Sequence, residues 1–145
     1  MLQWFKLLLL NDDDLPGHLK SAEQLKKARE ILQLSGKSVE DVITDYLSRL
    51  WKHVISSVSR QLGQNLVDRM PFRVVLTVPA IWKPYACKKM SDAARRAGIV
   101  TDRDCGPTSL KIVTEPECAA RATLADLEER PDVQVPGLGT SKERS

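Results

Sequence analysis

The sequence predicts an α/β fold: a helical subdomain on the N-terminal side, then a strand–helix–strand–helix core. Three observations carry this. One apolar stripe at helical spacing runs from Val39 to Leu62. Two short runs rich in β-branched residues, 72–78 and 110–113, are each followed within three residues by a proline. Each run is followed by an alanine-rich segment with helical spacing.

The elements follow in order. Residues 1–10 are an apolar stretch interrupted by Lys6, a composition suited to the inside of a domain rather than a solvated end. Asp12 to Gly17, acidic and containing Pro16-Gly17, predicts a loop. Ser21, with Gln24 three residues on, has the arrangement of a capping box, and Leu25, Ala28, Ile31 and Leu32 follow at helical spacing until Gly36. Ser38 opens a second helix with Asp41 at the reciprocal position. Its stripe is Val39, Val42, Ile43, Tyr46, Leu47, Leu50, Trp51, Val54, Ile55, Val58 and Leu62, and Gly63 ends it. The stripe reads as a packing surface. Residues 72–78 predict a buried strand ending at Pro79. Pro84 suits the first turn of a helix carrying Met90, Ala93, Ala94 and Ala97, closed by Gly98. A polar loop over 102–108 leads to the second strand, and Pro116 starts a helix through Cys118, Ala119, Ala120 and Leu124. From Arg130 the pattern gives way to Pro, Gly and charge, predicting a disordered tail over 131–145. The domain reading is therefore one unit over 1–130, with a helical subdomain at 17–63 and the core at 72–128.

Composition narrows the function classes. The 145 residues, 42% hydrophobic and 28% charged, are those of a globular chain, and a net charge of +3 with interspersed signs argues against a nucleic-acid footprint. The N-terminal apolar run is too short for a span of about 20 residues and has its positive charge in the wrong place for a secretory leader, so no membrane association is expected. Three cysteines, Cys87, Cys105 and Cys118, lack paired metal spacing and read as reduced thiols of a cytosolic or nuclear protein, and a cytoplasmic location is expected. A cysteine enzyme pairing Cys87 or Cys118 with His18 or His53 has little support, because both histidines fall in the helical half.

Chemistry is expected beyond the carboxyl ends of the strands, where ligands collect in open α/β sheets. Thr77-Val78-Pro79-Ala80 and Val113-Thr114-Glu115-Pro116 are such ends. A carboxylate at Glu115 is suited to orienting a water or the hydration shell of Mg²⁺. Taken alone, it reads more simply as an acid favoured at a helix N-terminus.

The ordered set of motifs adds to this. Arg73-Val-Val-Leu-Thr-Val-Pro-Ala-Ile-Trp82, Met90-Ser-Asp-Ala-Ala-Arg-Arg-Ala-Gly98 and Leu110-Lys-Ile-Val-Thr-Glu-Pro-Glu-Cys-Ala-Ala120 resemble consecutive signatures of the seventy-kilodalton heat-shock protein superfamily, in its actin-like ATPase domain. The likeness extends from about residue 4 to residue 125, and it is closest to a divergent, heat-shock-protein-like branch. The resemblance implies a partial ribonuclease-H-like lobe and a chaperone-like domain that binds and hydrolyses ATP with Mg²⁺. By the same resemblance, Glu115 matches the glutamate that positions catalytic water and the hydrated metal. Pro79 matches the proline that couples nucleotide state to the substrate domain. Lys6, in Trp4-Phe-Lys-Leu-Leu, matches the catalytic lysine, with a basic residue flanking a buried strand as the alternative.

Departures from the family pattern matter as much. Cys87 stands where many relatives carry an arginine, with Lys88 beside it, a point charge in place of a planar fork. The chain is several residues longer between Gly98 and Glu115, and Cys118 replaces a usually small residue. Neither glycine-rich phosphate loop of the family is recognisable. Gly137-Leu138-Gly139-Thr140 has no strand or aspartate leading into it. The expectation is a fragment that does not hydrolyse ATP alone, with an exposed sheet edge and apolar patch prone to self-association or to engaging protein clients. The alternative is an interaction or dimerisation module built on the Val39–Leu62 helix, without nucleotide.

Overall fold

The structure, a computed structural model, describes residues 5–128. The tail, Gly137 to Thr140 and Trp4 lie outside the described residues.

A 3₁₀ turn at Phe5–Leu9 opens the chain, and a second follows at Asp12–Asp14. The helices are α1 (Gly17–Lys20), α2 (Glu23–Ser35), α3 (Val39–Leu62), α4 (Gln64–Asp68), α5 (Pro84–Arg96) and α6 (Glu115–Glu128). The strands are β1 (Arg73–Val78) and β2 (Ser109–Thr114). The described residues are mostly helical, with α/β character supplied by one small parallel sheet.

The caps explain where the helices start. Ser38 Oγ accepts from the Asp41 N–H at 3.1 Å, and Asp41 Oδ2 accepts from the Ser38 N–H at 3.2 Å, completing the expected box with aspartate in the usual place of glutamate. The box expected at Ser21 does not form. Ser21 ends α1, so its backbone is not in the extended conformation a cap requires, and Ala22 precedes α2 without a side-chain bond. Asp12 to Gly17, expected to be a loop, instead holds a 3₁₀ turn and the first residue of α1. Gly36 (φ 64°) and Gly63 (φ 85°) end α2 and α3 in the region that a side chain penalises.

The core sits where α3 and α5 pack together over the N-terminal turn. Ile43 and Leu47 of α3 meet a face of α5 made by Ala86, Met90, Ala93 and Ala94, joined by Leu9, Leu10, Leu15, Leu25, Val78, Trp82 and Ile99. The small alanines let the two helix backbones approach closely, which concentrates dispersion contacts. Leu9 and Leu10 are buried, so the apolar opening does enter the core, as a 3₁₀ turn. Among the described residues Lys6 therefore sits inside a 3₁₀ turn and flanks no strand.

β1 and β2 run parallel in the register Arg73↔Ser109 to Val78↔Thr114, joined through α5 and the loop at 97–108. The strands were expected to be buried. Exposure alternates along β1 instead, with Val74 and Leu76 against the core and Arg73, Val75 and Thr77 facing outward; in β2, Leu110 and Ile112 pack against the core and Val113 beside them is buried as well. Period-2 burial of this kind belongs to a sheet covered on one face, unlike the two-sided cover usual for parallel sheets.

Candidate functional site

Strand register fixes the geometry at the carboxyl end of the sheet. Val78 pairs with Thr114, so Pro79 and Glu115 are the next residues of adjacent parallel strands. Neighbouring strands lie about 4.8 Å apart. Two residues 36 positions apart in sequence are thus brought to the same end of the sheet.

Glu115 is the first residue of α6, one position earlier than the start expected at Pro116. Thr114 Oγ1 accepts from the Glu117 N–H at 3.3 Å, so Thr114 is the cap. That leaves the Glu115 carboxylate exposed, with no hydrogen bond or ion pair among the described residues. The capping role that the isolated sequence suggests for Glu115 belongs to its neighbour. Pro79 opens a tight turn in which its carbonyl accepts from the Trp82 N–H at 3.1 Å. Trp82 is buried, and its indole Nε1 has no partner among the described residues.

Lys6 is exposed and lines a cavity of about 200 Å³ with Tyr46, Leu50 and Thr77, two residues before Pro79. Lys6 thus lies beside the carboxyl half of β1, on its α3 side, whereas Pro79 and Glu115 follow the paired ends of β1 and β2; the structure does not bring the three into one cavity. Glu115 lines neither cavity next to β1. A second cavity of about 330 Å³ continues along β1 toward its N-terminal end, between Phe72, Arg73, Val74 and Val75 and the α3 residues Leu47, Leu50, Trp51 and Val54.

The donor set does not complete an ATP·Mg²⁺ site within the described residues. Among the described residues, no group of three His, Cys, Asp or Glu side chains stands close enough to hold a metal ion. The described glycines sit at helix ends or in the 103–106 turn, and none lies between a strand and the helix it feeds, where backbone N–H groups would cradle phosphates. Lys88, beside the arginine position of the family, is engaged elsewhere, with its Nζ 3.2 Å from Asp92 on the outer face of α5.

Several tertiary contacts carry no sequence signal. The Tyr85 hydroxyl accepts from the Asn11 N–H at 2.8 Å and donates to Asp14 at 2.7 Å, latching the N-terminal turns to α5. Desolvation at that latch, together with the Asp14 hydrogen bond, raises the Tyr85 phenol above its ordinary value. Arg96 and Lys89 of α5 pair with Asp41 and Glu40 of α3. Arg103 lies 4.6 Å from the centre of the Phe72 ring, which in turn meets Trp51 edge-on at 5.6 Å.

Comparison with known proteins gives one informative match. Over 104 residues the chain is 32% identical to heat shock 70 kDa protein 12B of Homo sapiens, a stretch that is 70% of this chain and 15% of that protein. Over that stretch the match supports a distant relationship to this seventy-kilodalton heat-shock protein. The chain spans less than a sixth of the length of the curated relative it matches. No family model and no solved structure matches it. Among the described residues, no helix is long and apolar enough to cross a membrane.

Proposed function

We propose that the chain is a piece of a chaperone-like ATPase domain, in a ribonuclease-H-like lobe, in which Glu115 and Lys6 are catalytic and Pro79 couples nucleotide state to a neighbouring domain. The observation that supports this most is the pairing of Val78 with Thr114, which sets Pro79 and Glu115 at adjacent strand ends, with Lys6 near Thr77. An unpaired, exposed carboxylate at such an end is free to order water around a phosphate-bound Mg²⁺, which the nucleotide would bring with it. ATP when bound supplies the phosphoryl group; this chain's part is to hold water with Glu115 and charge with Lys6. The proposal includes a cytoplasmic setting and inactivity of this piece alone, because its described residues offer no phosphate cradle.

Titration calorimetry of the full chain with ATP and ADP in Mg²⁺, after circular dichroism has verified folding, tests this. The expected result is no saturable binding by a folded chain. Saturable binding that Glu115→Ala abolishes would overturn the claim of inactivity and uphold the assignment of the site. Saturable binding insensitive to Glu115→Ala would overturn the assignment itself.

A second reading, an interaction module, is favoured by a specific observation. Tyr46, Leu50 and Val54 of α3 and Val75 of β1 stand exposed around the two adjoining cavities.

A further inference from the structure

We draw no further inference here: the strongest candidate, the loop over 97–108 in which Arg103 donates to the Val67 carbonyl and lies over the Phe72 ring while the Thr108 hydroxyl is buried without a partner among the described residues, is closed by its own contacts, and nothing in the structure shows a ligand that would meet those groups.

Discussion

Two sides of α3 differ in what covers them. Toward α5, Ile43 and Leu47 are 1% and 6% exposed, closed in by alanines and tied by the Arg96–Asp41 and Lys89–Glu40 pairs. Toward the β1 edge, Tyr46 and Leu50 are 50% and 43% exposed around a groove. Both sides belong to one unbroken apolar stripe in the sequence. Helical spacing reports which residues seek burial; whether a partner reaches them depends on strand order and tertiary neighbours. The covered side is where stability concentrates, and the open side is where binding has room.

That contrast is broken or upheld most sharply by a matched pair of truncations. Ile43→Ala removes a side chain from a packed interior and leaves a cavity, so it should cost about 2–5 kcal/mol. Leu50→Ala acts on a half-exposed side chain and should stay within roughly 1 kcal/mol. Urea unfolding of both variants beside the wild type checks this. Comparable losses would mean the groove side is covered in solution, with a second copy as the first suspect.

A smaller effect is expected at the latch between the N-terminal turns and α5. Tyr85→Phe removes the donor to Asp14 and the acceptor for the Asn11 N–H while keeping the ring. The net cost should be smaller than that of Ile43→Ala, because Asn11 remains accessible to water and can replace the lost bond. Thermal unfolding measures it, and hydrogen exchange in residues 9–15 should quicken ahead of exchange in α3. A uniform change across both would mean that the N-terminal turns and α3 open as one unit.

How much of this was legible beforehand follows from range. Local signals were sound: the Ser38–Asp41 box, the Val39–Leu62 span, Pro84 at a first turn and the two strands all depend on neighbours within a few residues. The Ser21 box failed because α1 ends on that serine, a competition that residue types do not announce. The strands were read as buried because β-branched runs look alike whether one face is covered or both. For the candidate site, Pro79 and Glu115 were visible as strand ends, but their adjacency needed the register, which sets together residues 36 apart. Tyr85 meets Asp14 across 71 positions and Arg96 meets Asp41 across 55, and no spacing rule links either pair.

The finest test concerns the junction of cap and core at Asp41. Hydrogen bonds from Ser38, then the Arg96 guanidinium, hold this carboxyl at about 2, below its ordinary 3.8. The folded chain thus binds the Asp41 proton less tightly than the unfolded chain does. Its contribution to stability is present above pH 3.8 and is lost as pH falls toward 2. Glu40 and Asp45 also sit below their ordinary values. At Glu40 partial burial is the largest single influence and works the other way, but the Lys89 hydrogen bond, a backbone hydrogen bond and the Lys89 charge together outweigh it; at Asp45 the Lys37 hydrogen bond is the first cause. The whole acid limb is therefore not Asp41's, and the variant must be read against the wild type. Urea unfolding at pH 5 and pH 3 should show a smaller loss in Asp41→Asn than in the wild type, because asparagine keeps an acceptor for Ser38 but has no proton to gain. Arg96→Gln separates the two partners. If the slope persists in that variant, the local cap sets it; if it falls with added salt and vanishes with Arg96, the bridge from α5 does, and the covered side of α3 is held by charge as well as by packing.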